Sequence, residues 1–163
     1  MNFKTADLCD AHEKDVKIAL PLFKSFGKRN AFSGEIVTVK VFEDNVLVKE
    51  MLGKNGTGKV LVVDGGGSLR CALMGDLLAK MAADNGWQGV IINGCIRDSA
   101  EINQMDIGVK ALNVIPVKSK KGGVGETNAP VQFAGVFFRP KEFVYSDDDG
   151  ILVSATNLQL YTI

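Results

Sequence analysis

Three residues in this chain have types and spacing that could do chemistry together. Asp76 sits at the front of the stretch GDLLAKMAADNG (75–86), and Arg97 and Asp98 follow the apolar run VIINGCI (90–96). Twenty residues separate Asp76 from Arg97. A helix that starts at Gly75 points the unpaired N–H groups of residues 75–78 outward, and its dipole makes that end a seat for a small anion. Arg97, on the loop after the next strand, can grip a carboxylate with two parallel N–H bonds. Asp98 and Asp76 offer oxygen ligands of the kind taken by a hard divalent cation that keeps several waters. An anion cradle, a guanidinium and two such carboxylates suit a 2-oxo acid held as its enolate. The plainer alternative is an N-terminal capping Asp beside a surface Arg–Asp pair, and spacing alone favours it.

Other reactive groups are sparse. His12 is the one histidine, and Cys9, Cys71 and Cys95 are widely spaced with no CxxC pair. That pattern argues against a disulfide framework and against a zinc site. GKNGTGKV (53–60) begins like a phosphate-binding P-loop, but Val60 stands where Ser or Thr is needed, and a strand follows instead of a helix. It reads as a turn. VVDGGGSLR (62–70) has Arg70 where the dinucleotide fingerprint needs its last glycine, so a tight glycine turn is the simpler reading. DDDG (147–150) places its acids consecutively, unlike a calcium loop, and reads as a solvated turn.

These residues need a scaffold, and the apolar pattern supplies one. KVLVVD (59–64) and WQGVIING (87–94) are continuous apolar runs, as strands buried on both faces should be. Between them Leu77, Leu78, Met81 and Ala82 fall on one helical face, with Gly86 as the stop. GGGSLRCALM reads as a glycine-rich loop leading into a short extended segment. Alternation over 32–52 predicts two strands, Ile36–Val41 and Val46–Met51, joined at EDN. SAEINQMD predicts a short polar helix, and IGVKALNVIPVK a strand ending near Pro116. KSKKGGVGETNAP (118–130) is the most loop-like segment, and three further short strands follow it. Helices are expected around ADLCDAHEK and ALPLFKSFG in the first thirty residues. The class is α/β: one compact domain over 1–163, with stacked or closed sheets and outer helices.

Size and composition agree with that class. A chain of 163 residues with 46% apolar and 23% charged residues is that of a globular domain. Nineteen basic residues balance nineteen acidic ones, which leaves no basic excess for nucleic acid. No apolar run approaches a membrane span, and the start MNFKTADLCDAHEKD lacks the apolar core of a signal peptide, so a cytoplasmic location is expected.

VVDGGGSLRCALMGDLLA followed by NGCIRD resembles the RraA-like proteins, a family that includes the regulator of ribonuclease E activity A and the 4-hydroxy-4-methyl-2-oxoglutarate aldolases. The resemblance runs from TADLCDA through GVFFRP to SDDDGILVS. It implies a swivelling β/β/α domain and a homotrimer with sites near subunit boundaries. It also implies a class II aldolase that uses a divalent cation, Mg2+ or Mn2+, on a small 2-oxo acid. Under it Gly75, Asp76, Leu77 and Leu78 form the pyruvate-binding loop and Arg97 binds carboxylate and oxo group. Asp98 holds the metal, with Asp76 supporting its water shell. Loss of carbon dioxide from oxaloacetate gives the same enolate, so a side decarboxylase activity is expected. Ribonuclease regulators of the family typically lack the final Asp of this motif; the chain keeps it as Asp98, which favours the enzyme over an inhibitor of ribonuclease E. The aldolases also draw an acid from a neighbouring subunit near the C-terminus, whereas NLQLYTI (157–163) contains none. Lys80, one turn beyond Asp76, is the candidate for a Schiff base, but the family precedent is metal-dependent.

Overall fold

The computed structural model describes residues 2–160. The chain begins with α1 (Thr5–Ala11), β1 (Val16–Ile18), β2 (Lys24–Phe26) and β3 (Phe32–Lys40). It continues through α2 (Val46–Leu52), β4 (Lys59–Asp64), β5 (Ala72–Met74), α3 (Asp76–Asp84), β6 (Gly89–Ile96) and α4 (Ser99–Ile102). Then come β7 (Gly108–Val114), β8 (Glu126–Thr127), the pair β9 (Val131–Phe133) and β10 (Val136–Phe138), and the hairpin β11 (Phe143–Asp147) and β12 (Gly150–Ser154). A 3-10 turn, Leu158–Leu160, follows.

Ten strands share one sheet in the order β1-β12-β11-β3-β4-β6-β7-β2, with β5 also on β6 and β8 also on β3. The centre, β3-β4-β6-β7, is parallel, and α2, α3 and α4 form the crossovers between its strands. Antiparallel strands flank it on both sides. Alternate residues of the central strands feed different cores. Leu61, Val63, Val90 and Ile92 pack with Val48, Leu52, Leu78 and Ala82 of the helices. Val60, Val62 and Ile91 pack with Phe133 and Phe138 of the β9–β10 hairpin. Continuous apolar runs are therefore necessary, since both faces are covered.

The sheet is curled. β7 and β11 stand four places apart in the order, about 19 Å on a flat sheet. Yet Lys110 of β7 donates to the Asp147 carbonyl at the end of β11 as well as to Ser25 Oγ, both at 2.7 Å. The α/β class, with helices packed outside a large curled sheet, is thus as expected.

Several segments differ from expectation. Val46–Leu52 is a helix, not a strand: Val48, Met51 and Leu52 are buried at helical spacing against α3 and the sheet. The strand before it starts earlier than expected, at Phe32. ALPLFKSFG is not a helix. Pro21 has no N–H to donate, and the N–H groups of Ala19 and Leu20 bond instead to the carbonyls of Ile151 and Ala134. On α3 the buried face is Leu78, Ala79 and Ala82, while Leu77 is 78% exposed. DDDG is the β11–β12 turn, but Asp147 is no solvated acid: it accepts both the N–H and the hydroxyl of Thr5 at 2.8 and 2.6 Å. GKNGTGKV is a turn running into β4, and its Gly56 lies under the Trp87 ring, where a Cβ would come within 2.2 Å.

Candidate active site

The parallel strands place every candidate residue at one end of the sheet. β5 ends at Met74 and hands over to Gly75 and α3, while β6 ends at Ile96 and hands over to Arg97 and Asp98. The Arg97 N–H donates to the Met74 carbonyl at 2.9 Å, which holds the two strand ends side by side. A crevice at the carboxyl ends of parallel strands is where open α/β sheets bind ligands. Here it is a cleft of about 660 Å³ lined by Gly75, Asp76, Leu77 and Leu78 on one side and by Arg97 and Asp98 beside them. All six predicted site residues therefore meet in one cleft.

Their contacts are close and specific. Asp98 has φ 56°, the left-handed conformation that turns the chain from β6 into α4. Its Oδ2 accepts the Asp76 N–H at 3.0 Å, and Asp76 Oδ1 accepts the N–H of Leu77 at 2.8 Å. The sequence predicts open first-turn amides on α3, but two of them hold the chain's own carboxylates, while Leu78 N–H has no protein partner among the described residues. Negative charge at that end is what the helix dipole favours. Arg97 Nε lies 3.9 Å from Asp98 Oδ2, too long for a hydrogen bond, so the guanidinium is available to a ligand. Gly75 leaves room for this arrangement: a Cβ there would lie 2.6 Å from Asp98 Oδ2 and 3.4 Å from Arg97 Nε, so the Asp98 carboxylate would have to shift.

The donor set suits a hydrated cation. Each carboxylate keeps one oxygen without a protein partner among the described residues, Asp76 Oδ2 and Asp98 Oδ1. No cluster of three or more His, Cys, Asp or Glu side chains converges among those residues. Two carboxylates without a closed cage fit a magnesium-like ion that retains most of its waters. Lys80 is exposed and paired with Asp84 at 2.7 Å, outside the cleft lining.

The opposite wall was not foreseen from sequence. It carries Lys49 of α2 and Lys118, Ser119 and Lys121 of the segment after β7. With Arg97 these make four cationic side chains against the two acids Asp76 and Asp98, a balance suited to a dianion. KSKK is visible in sequence, but only the fold brings it across from Arg97.

The glycine loop after β4 does not cradle a phosphate. The N–H groups of Gly65 and Gly67 donate to the Asn93 carbonyl, that of Gly66 to Asp64 Oδ1, and that of Ser68 to the Gly65 carbonyl. Its amides are spent within the turn.

The profile of the RraA-like family, described as Aldolase/RraA, matches residues 5–153. The chain belongs to the RraA-like family. It is 57% identical over 162 residues to a Dechloromonas aromatica protein named "Putative 4-hydroxy-4-methyl-2-oxoglutarate aldolase", covering 97% of this chain and 99% of that one. Among solved structures, one from Geobacillus kaustophilus described as S-adenosylmethionine:2-dimethylmenaquinone methyltransferase superposes with TM-score 0.96 at 50% identity, covering 99% of this chain and 100% of that one. The RNA-processing inhibitor RraA from Thermus thermophilus superposes at TM-score 0.92 and 44% identity, covering 95% and 94%. Three different activities are thus attached to one fold, and the site must choose among them. Among the described residues no helix is long and apolar enough to cross a membrane.

Proposed function

We propose that this RraA-like protein is a lyase, a class II aldolase that cleaves 4-hydroxy-4-methyl-2-oxoglutarate or a close relative into two pyruvates. The observation that carries the reading is the convergence of Arg97, Asp98 and Asp76 at the α3 N-terminus, with Asp98 Oδ2 bonded to the Asp76 N–H. The names of relatives at 54–57% identity support the same activity. A divalent cation of the Mg2+ or Mn2+ kind, held by Asp98 and supported by Asp76, would polarise the 2-oxo group. Arg97 grips the adjacent carboxylate in two-pronged fashion and fixes the acid in the plane of its oxo group. The 4-hydroxyl passes its proton to a water oriented by Asp76, the C3–C4 bond breaks, and C4 leaves as the ketone of the first pyruvate. Its electrons pass to the C2–C3 enolate, which Arg97 stabilises as charge develops on the oxygen. Protonation at C3, through a water oriented by Asp76, releases the second pyruvate. Oxaloacetate gives the same enolate on losing carbon dioxide, so decarboxylation accompanies the aldol reaction.

The rival readings have less behind them. Methyl transfer from S-adenosylmethionine lacks a cofactor cradle, because the glycine-loop amides are spent internally. Inhibition of ribonuclease E needs no Asp98, yet that residue is present and built into the cleft. A homotrimer belongs to the same proposal. Phe42, Leu69, Leu77 and Val124 are large apolar side chains left more than half exposed, and sedimentation velocity should find three copies.

Pyruvate release from 4-hydroxy-4-methyl-2-oxoglutarate and, separately, from oxaloacetate tests the reading in a coupled lactate dehydrogenase assay. Magnesium or manganese should support turnover, and excess EDTA should abolish it. Release no faster than that of an Asp98→Asn control would overturn the aldolase and leave the inhibitor reading.

A further inference from the structure

Among the described residues that line the cleft, one buried side-chain hydroxyl has no hydrogen-bond partner. Ser119 lines the same cleft as Arg97 and Asp98, is 6% exposed, and its Oγ makes no hydrogen bond among the described residues. A buried hydroxyl left unpaired is destabilising, so such a group in a binding cleft points to a ligand that completes it. The wall that carries it is rigidly fastened. On one side the Ala72 N–H donates to the Val117 carbonyl at 2.7 Å; on the other Lys120 N–H donates to the Glu43 carbonyl at 2.8 Å. Further along, the buried carboxylate of Asp44 gathers the amides of Gly122 and Gly123 on Oδ2 at 2.8 and 2.9 Å, and that of Val46 on Oδ1 at 3.1 Å. Ser119 is therefore held in place rather than carried on a loose loop, as a specificity group must be.

We propose that Ser119 is a specificity-determining residue: its hydroxyl donates to the carboxylate at the far end of a dicarboxylic 2-oxo acid, the end that leaves as the first pyruvate. Asp44 is the positioning residue that keeps Ser119 there. Lys118 and Lys121, flanking it on the same wall, supply the charge that draws a second carboxylate to this side. The proposal rests on the aldolase reading, but it concerns only the part of the substrate beyond the enolate.

Two reactions separate the halves of the site. Exchange of pyruvate methyl protons with D2O, followed by NMR, uses only the Arg97 side; cleavage of the dicarboxylic substrate uses both. Ser119→Ala should raise KM for cleavage roughly tenfold, the effect of one hydrogen bond to a charged group. Proton exchange should stay within about twofold of wild type, and Tm should not fall, because the hydroxyl supports nothing in the protein. Asp44→Asn should show the same selective rise in KM. An unchanged KM in Ser119→Ala, an equal loss in both reactions for that variant, or a Ser119→Ala Tm lowered by several degrees would each overturn the proposal; Asp44→Asn, which loses stability as well, is read by KM alone. Wild-type protein that neither exchanges pyruvate protons nor cleaves would instead remove the aldolase reading, and this proposal with it.

Discussion

At the scale of single residues, the site depends on a few atoms packed near their closest approach. Asp98→Asn keeps a side chain that tolerates φ 56° and an oxygen for the Asp76 N–H, but it discards the charge. Turnover should fall at least a hundredfold while Tm stays within a few degrees, as activity assays and thermal melts on the same preparation would check. Arg97→Ala should be equally inactive, and Arg97→Lys should recover little, because an ammonium cannot form the two-pronged bond. Gly75→Ala tests the crowding directly. Its Cβ would stand 2.6 Å from Asp98 Oδ2, so Asp98 must move. The expected outcome is a drop in activity of tenfold or more at a stability cost of about 1–2 kcal/mol. A Gly75→Ala enzyme with wild-type kinetics would contradict this packing.

At the scale of elements, each wall of the cleft has its own fastening. α3 is held by Leu78, Ala79 and Ala82 in the core and by Asp98 at its first amide. The 118–124 wall is tied to Ala72 and to Glu43 by single backbone bonds, and its Gly122–Val124 end is held by Asp44. Burial pushes the Asp44 carboxyl up, but the amides of Val46, Gly122, Val124 and Gly123 outweigh that and leave it below the ordinary carboxylate range. A carboxylate with a depressed folded pKa contributes stability that is complete above its unfolded value near 4 and is lost as the pH falls through the folded value. Asp44→Asn has only one acceptor oxygen for two sets of amides, so at pH 7 it should cost about 2–4 kcal/mol. The gap in Tm between wild type and this variant should shrink as the pH falls from about 5 towards 3. A gap independent of pH would mean that Asp44 acts through its shape and not its charge.

At the scale of the whole molecule, the bond that shows the sheet to be curled also ties its halves together. Lys110 is 4% exposed, and burial lowers its ammonium pKa, with the nearby Asp148 and Asp147 working against that shift. It persists because Ser25 Oγ and the Asp147 carbonyl both accept from it. Lys110→Ala should open a cavity and strand those acceptors, at a cost of about 2–4 kcal/mol by chemical denaturation. Lys110→Met fills most of the volume and buries no charge, so it should lose less. If the Ala variant were as stable as wild type, the curl of the sheet would have to rest on other contacts.

Much of this architecture is legible in the amino-acid sequence. The buried strands 59–64 and 89–96 declare themselves by continuous apolar runs, and the helix between them by its spacing and its glycine stop. Asp76, Arg97 and Asp98 are legible for the same reason: each lies at the joint between two strongly patterned elements. Elements whose pattern depends on what covers them are not legible. Val46–Leu52 continues an apolar–polar alternation that reads as a strand, and it becomes a helix because its neighbours offer a groove for Val48, Met51 and Leu52. The residues after Ala19 carry a helical pattern, but Pro21 and pairing partners far along the chain keep them extended. Local order along the chain is set by side-chain type and period, which are properties of neighbours in sequence. The second wall of the cleft, with Lys49, Lys118, Ser119 and Lys121, and the clamp at Asp44 join residues some 80 positions apart. Nothing in local pattern encodes such a meeting, because it exists only once the parallel strands lie side by side and bring their carboxyl ends together.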